Sequence, residues 1–156
     1  MNTHSTDRIE KEIFIKAPRE RVWRALTDAG EFGEWFRVKL TGQQFAAGKQ
    51  ITGPVQHPGY EHLTWTVTVE RLDPERGVFS WRWHPHAIDP NKDYSREPTT
   101  LVTFELQERP DGTLLKVTES GFDKVPIERR ETAYRGNSEG WAIQVGNIER
   151  YVGQNP

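Results

Sequence analysis

The stretch PIERRETAYRGNSEGWAIQVGNIERYV, residues 126–152, predicts the element on which the rest of the fold depends. Its apolar side chains recur at the spacing of one face of an α-helix. Pro126 suits the helix start, because the first turn needs no backbone N–H there. Gly136, Gly140 and Gly146 lie inside the pattern, and each costs about 1 kcal/mol relative to alanine. We therefore expect packing to hold the helix, with a break near Gly136 as the alternative. The apolar stripe consists of Tyr134, Trp141, Val145, Ile148 and Val152.

The residues before this helix change from helical to strand periodicity. Residues 8–15 alternate and predict a first, half-buried strand. A helix is expected from Pro18 to Gly30, followed by a second short helical segment that ends in Trp35-Phe36. Strand patterns follow within residues 45–52, 61–72, 78–84, 99–107 and 114–119, with tight turns at DPERG and RPDG.

This order of elements predicts an α+β fold. About six to seven strands would form a curved antiparallel sheet wrapped around the long C-terminal helix, with two short helices after the first strand. We expect residues 1–7 to form a flexible tail and residues 8–153 to form a single domain.

Composition excludes several classes of function. The net charge of −2 and the interspersed charges are unlike a nucleic-acid-binding surface. The chain has no cysteine, and therefore no disulfide, thiol nucleophile or cysteine zinc site. No segment predicts stable membrane insertion or a signal peptide, so we expect a cytoplasmic protein. Six Trp, seven Phe and four Tyr must fill much of the core, which favours a domain with an internal cavity.

The predicted meander places its long connections at one end of the sheet. Residues 53–62, 84–98 and 119–126 meet there, and they hold four of the five histidines. Tight turns at one end and varied loops at the other are typical of a binding mouth. The alternative is that these are merely long loops.

Strand parity indicates two carboxylates at this mouth. Glu119 shares a face with Leu115 and Val117, and Glu61 shares a face with Trp65. A buried carboxylate needs an arginine, hydrogen bonds or a raised pKa. We interpret both as polar anchors of an apolar pocket, with exposure at strand ends as the alternative.

Four segments in order, IFIKAPRERVWRALTD, GEFGEWF, VTESGF and EGWAIQVGNIERYV, carry a family resemblance. The chain resembles the START-like helix-grip superfamily (SRPBCC), and within it the AHSA-like family related to the activator of the ninety-kilodalton heat-shock chaperone's ATPase. Trp35-Phe36 stands where members commonly have two tryptophans, and the segment HPHAIDPNKDYSREP is outside the pattern. The resemblance implies a cavity for a lipid-like or polycyclic molecule between the sheet and the C-terminal helix. Its implied lining is Trp35, Phe36, Phe45, Trp65, Trp81, Trp83, Phe104, Phe122, Trp141 and Val145.

We therefore expect a protein that binds a small hydrophobic or amphipathic ligand, with Glu61 or Glu119 as the polar anchor. Two alternatives stay open: a cyclase- or hydrolase-type enzyme that uses pocket carboxylates, and a stress-related co-chaperone that contacts an ATPase. No catalytic residue is assigned. His84 and His86 with Asp89 fit no zinc pattern well, so neither a metal nor a cofactor is expected.

Overall fold

A six-stranded antiparallel sheet and a 28-residue helix form the body of the protein in a computed structural model that describes residues 7–156. The strands are β1 (Arg8–Ile15), β2 (Gln50–Pro54), β3 (Thr64–Asp73), β4 (Val78–Trp83), β5 (Thr100–Arg109) and β6 (Gly112–Ser120). The helices are α1 (Arg19–Thr27), α2 (Ala29–Phe36) and α3 (Ile127–Gln154), with a 3₁₀ turn at Phe122–Lys124.

The strand order confirms the predicted meander. The sheet runs β1-β6-β5-β4-β3-β2, so the five consecutive strands are neighbours and β1 joins at the far side of β6. Every pair is antiparallel, and the register shifts between Val69 and Arg71, which marks a bulge. The α+β helix-grip fold is therefore confirmed.

α3 is continuous, so the alternative of a break near Gly136 is wrong. The glycine has a packing role instead, because a Cβ built on it would lie 2.7 Å from Nδ1 of His86. Tyr134 is only partly buried, and its hydroxyl donates to the Arg8 carbonyl at 2.9 Å. The buried residues of α3 itself are Ala133, Trp141, Val145, Ile148 and Val152.

The first helix ends earlier than expected. α1 stops at Thr27, and Gly30 lies inside α2 rather than at the end of α1. Asp28 explains the break, because its Oδ1 accepts the Glu31 N–H at 3.0 Å and caps α2. Arg37, at φ 68°, then ends α2 and turns the chain towards β2.

The first described residue is anchored. The Asp7 carbonyl accepts the N–H groups of Gly121 and Phe122, each at 3.1 Å. Asp7, the last residue of the predicted tail, thus joins the segment after β6, and residues 1–6 lie outside the described residues. Within residues 7–156, no helix has the length and apolar character needed to cross a membrane.

Candidate functional site

Glu119 is completely buried and accepts hydrogen bonds from four side chains. Trp83 Nε1 and Thr100 Oγ1 donate to Oε2 at 2.8 and 2.6 Å. Trp141 Nε1 donates to Oε1 at 2.8 Å. The Asn137 amide donates to both oxygens, at 3.0 and 3.1 Å. One carboxylate thus fixes the orientation of four surrounding side chains.

The fold brings these donors together from three separate elements. Glu119 lies near the end of β6, Trp83 is the last residue of β4, and Thr100 is the first residue of β5. Asn137 and Trp141 lie four residues apart on α3, so they face the sheet from the same side. The carboxylate therefore joins α3 to the sheet at the end where the long connections lie.

The four donors carry no charge, and among residues 7–156 no ion pair includes Glu119. Burial raises the pKa of Glu119, because removal from water disfavours the charged form. The hydrogen bonds from the four side chains oppose this effect. An indole N–H can only donate, so the arrangement is built around a carboxylate as acceptor.

A small cleft of about 110 Å³ is lined by three of the side chains that donate to this carboxylate. Trp83, Asn137 and Trp141 line it, and these same side chains donate to Glu119. On the α3 side, a Cβ built on Gly140 would meet no atom of residues 7–156 within 4 Å. The glycine therefore leaves open space where another residue would place a side chain. The rest of the lining is Phe36, Gly136 and Gln144.

A larger groove of about 670 Å³ continues from the cleft and shares Phe36, Trp83 and Asn137 with it. Its walls come from the start of β3 and from the segment after β4, which is the predicted mouth end of the sheet. Trp65 also lines the groove, and its buried Nε1–H has no hydrogen-bond partner among residues 7–156. The additional lining includes Val55, His62, Leu63, His86, Ile88, Asp89, Lys92 and Tyr94.

The segment 84–98 is attached to the first half of α3. Arg129 Nε donates to Glu97 Oε1 at 2.8 Å, and Arg129 Nη1 donates to the Pro85 carbonyl at 2.8 Å. The same guanidinium lies 4.8 Å from the centre of the Tyr94 ring. Burial and the Arg129 charge lower the pKa of His86, whose ring covers Gly136. The segment thus forms a fixed wall of the groove.

Residues 16–153 match the model of the family described as Activator of Hsp90 ATPase homolog 1-like protein. The chain belongs to this family.

Solved structures share the fold of this chain. Protein MLL2253 from Mesorhizobium loti is 25% identical, with a TM-score of 0.72 over 96% of this chain and 98% of that chain. CalU16 from Micromonospora echinospora is 20% identical, with a TM-score of 0.63 over 93% of this chain and 75% of that chain. The Aha1 dimer from Colwellia psychrerythraea is 18% identical, with a TM-score of 0.66 over 93% and 95%. Among curated proteins, none matches the sequence.

This family member fills much of the space that we expected to be a cavity between sheet and helix. The Trp141 ring centre lies 6.0 Å from that of Trp83, 6.5 Å from Trp81 and 5.7 Å from Phe104. These large rings pack against one another between the sheet and α3. The open space therefore lies at the mouth end of the sheet, where the cleft is lined by Gly136 and Gly140.

The predicted lining residues therefore divide into two groups. Phe36, Trp65, Trp83 and Trp141 line the cleft or the groove. The other predicted residues pack in the core and line neither: Trp35, Phe45, Trp81, Phe104, Phe122 and Val145.

Of the two predicted carboxylates, only Glu119 lies at the site. β3 begins at Thr64, so Glu61 belongs to the preceding loop, and the parity argument for Glu61 is wrong. Glu61 is exposed, and its Oε1 accepts the Gly59 N–H at 2.7 Å. Hydrogen bonds from backbone N–H groups lower the pKa of Glu61.

Sequence reasoning missed Asn137 and Thr100. Asn137 precedes Trp141 by one helical turn and therefore interrupts the apolar stripe with a polar residue. A polar residue in such a stripe is a usable signal, because a buried amide requires hydrogen-bond partners. Thr100 carries no comparable signal, since threonine is common in strands.

Proposed function

We propose that this protein binds a small hydrophobic or amphipathic molecule in the cleft and the adjoining groove. The observation that supports this most directly is the open aromatic cleft in front of Glu119, whose walls are held by hydrogen bonds to that carboxylate. Aromatic side chains fixed in this way lose little conformational entropy when a ligand binds. Concave, mostly apolar sites with a few fixed polar groups are typical of ligand binding.

The energy of apolar burial requires a ligand larger than the cleft. Burial of about 100 Å² of apolar surface contributes about 2.5 kcal/mol, whereas association costs at least about 4 kcal/mol. A ligand that also occupies the groove, with about 300 Å² buried, gains about 7.5 kcal/mol. We therefore expect one compact end in the cleft and a longer body in the groove.

The mixed lining of the groove is the reason for proposing an amphipathic ligand. The groove is lined by apolar Val55, Leu63 and Ile88 and also by polar His62 and Lys92. A ligand with both apolar and polar groups finds complementary contacts there. A purely polar ligand would leave the apolar walls in water.

Glu119 supports binding rather than catalysis. The carboxylate is completely buried, and both of its oxygens are occupied by donors. Trp83, Asn137 and Trp141 lie between it and the cleft. A general acid or base must reach the proton that it transfers. We therefore assign Glu119 the role of fixing the walls.

The test uses the fluorescence of a neutral apolar dye, N-phenyl-1-naphthylamine. We expect the dye to bind, and Gly140→Leu to weaken its binding at least about tenfold by filling the cleft. Gly153→Leu is the matched control, since Gly153 lies on the same helix, away from the cleft, with open space around it. Equal dye binding by both variants, or no binding by the wild type, would refute the proposal. Native mass spectrometry of protein purified from its own host then identifies the retained molecule.

A further inference from the structure

We infer that the compact end of the ligand in the cleft carries a positive charge and is an ammonium or methylated ammonium group. This inference rests on the proposed function and adds the ligand class. Three observations support it: the arrangement of the aromatic rings, the unpaired carboxylate behind them, and the absence of basic residues from the described lining of the cleft.

The rings of Phe36, Trp83 and Trp141 line the cleft and pack against one another at nearly equal separations. Their centres lie 6.4 Å apart for Phe36 and Trp83, 6.0 Å for Phe36 and Trp141, and 6.0 Å for Trp83 and Trp141. A cation bound in the cleft would contact these rings, and aromatic faces attract positive charge over roughly 6 Å. Tryptophan is the strongest of the aromatic side chains in this respect.

The negative charge is separated from the cleft by one layer of side chains. Trp83 and Trp141 line the cleft and donate their N–H groups to Glu119 at 2.8 Å. A hydrogen bond to an anion polarises the donor, which adds electron density to the indole ring. The carboxylate therefore attracts a cation directly and also strengthens the attraction of the two rings.

The charge of Glu119 is not neutralised by a neighbouring side chain within residues 7–156. In the part of the chain that the structure describes, no ion pair includes it and the residues that line the cleft are uncharged. A buried carboxylate with a raised pKa is costly as an anion. A bound cation offsets that cost, whereas an anion would be repelled and a neutral group would gain only apolar contact.

Few of the described side chains near Glu119 can make ligand affinity depend on pH. β4, β5 and α3 contribute Trp83, Thr100, Asn137 and Trp141, and β1 places Ile9 opposite Glu119, so none of these carries a charge. On the segment 84–98, His86 packs on Gly136, one residue before Asn137. On α3, Arg129 pairs with Glu97. The experiment must therefore distinguish the titration of Glu119 from that of His86.

The test compares three molecules of the same shape and different charge. Choline is the cation, 3,3-dimethylbutan-1-ol is its neutral isostere, and 3,3-dimethylbutanoate is the anion. Binding is followed by the indole N–H signals of Trp83 and Trp141 in NMR spectra. Because the cleft alone buries little apolar surface, we expect choline to bind only at about millimolar concentrations, at least about tenfold more tightly than the neutral alcohol, with the carboxylate weakest.

The pH dependence distinguishes the carboxylate from the histidine. We expect choline affinity to rise with pH as Glu119 ionises, with no such change for the alcohol. The rise should persist in His86→Asn and disappear in Glu119→Gln. If Glu119→Gln does not fold, the wild-type pH series and the comparison of isosteres decide the question.

The outcomes separate this inference from the proposed function. Equal affinity for choline and its neutral isostere would overturn the cation assignment while leaving an apolar binding site. Tighter binding of the anion, or choline affinity that does not depend on pH, would also overturn it. Failure of the neutral dye to bind would refute the proposed function itself.

Discussion

Trp141 on α3 donates its indole N–H to Oε1 of Glu119 on β6 at 2.8 Å, although both side chains are buried. This contact joins the helix to the sheet through a carboxylate rather than through apolar packing alone. A buried carboxylate costs several kcal/mol unless hydrogen bonds compensate. The tryptophan at this position therefore serves both as a wall of the cleft and as a donor that the carboxylate requires.

We predict that Trp141→Phe destabilises the protein more than Trp81→Phe does. Both substitutions remove the same atoms from a buried ring, but the Trp81 N–H has no hydrogen-bond partner among residues 7–156. A hydrogen bond to a charged group contributes about 1.5–3 kcal/mol, so the free energies of unfolding should differ by about that amount. Urea denaturation of the two variants measures it. Equal losses would contradict the role assigned to the contact.

The raised pKa of Glu119 predicts the direction of a pH effect on stability. Burial raises the pKa of Glu119 above its ordinary value of 4.5, so the folded state binds the proton more tightly than the unfolded state. This contribution to stability is fully present below the unfolded pKa and is lost as pH rises through the folded pKa. Relative to Glu119→Gln, the wild type should therefore lose stability from about pH 4 upwards.

Chemical denaturation of wild type and Glu119→Gln over a range of pH measures this difference. Other carboxylates, such as Glu31, whose pKa is lowered, are present in both proteins and cancel in the comparison. A wild type that instead gains stability relative to the variant over this range would show that the four hydrogen bonds outweigh burial.

The sequence predicts the architecture well because the relevant signals are local. Alternation in residues 8–15 and 78–83, and helical spacing after Pro126, each reflect which face of one element is buried. The predicted helix boundaries are less accurate where a capping side chain determines where one helix ends and the next begins. Asp28 ends α1 by capping α2, and the helical pattern continues through it.

The site was harder to predict because it depends on how separate elements meet. Strand parity correctly indicated that Glu119 points inward, but parity says nothing about Thr100, which reaches it from the neighbouring strand. Parity failed for Glu61 because that residue lies before its strand begins. The position of the cavity depends on how the rings of Trp81 and Trp141 pack, which no local pattern encodes.

Two glycines of α3 should respond differently to alanine. At Gly140 a Cβ meets nothing within 4 Å, so Gly140→Ala should stabilise the protein by about 0.5–1 kcal/mol through helix propensity. At Gly136 the Cβ would lie 2.7 Å from the His86 ring, so Gly136→Ala should lose that gain by displacing the histidine. Thermal unfolding of both variants tests this, and limited proteolysis within residues 84–98 reports the displacement. Equal stabilisation by both substitutions, with no added cleavage, would contradict the packing role of Gly136.

We predict that Arg129→Ala lowers the free energy of unfolding much more than Arg135→Ala, although both arginines lie on α3. It is largely buried, pairs with Glu97 at 2.7 Å and donates to the Pro85 carbonyl. Arg135 is exposed and pairs only along the helix with Glu131. Arg129→Ala leaves Glu97 without this partner and should cost about 3 kcal/mol, whereas Arg135→Ala should cost about 0.5 kcal/mol or less.

Hydrogen exchange shows whether this loss acts through the wall of the groove. We expect Arg129→Ala to accelerate amide exchange in residues 84–98 while the β5 and β6 amides keep their protection, because the arginine attaches that segment to α3 without contributing to the sheet. Binding of the neutral dye should weaken in parallel, since the wall is no longer fixed. Faster exchange throughout the sheet would instead mean that Arg129 stabilises the whole fold. Unchanged exchange in residues 84–98 would contradict the proposal that Arg129 holds the wall of the groove.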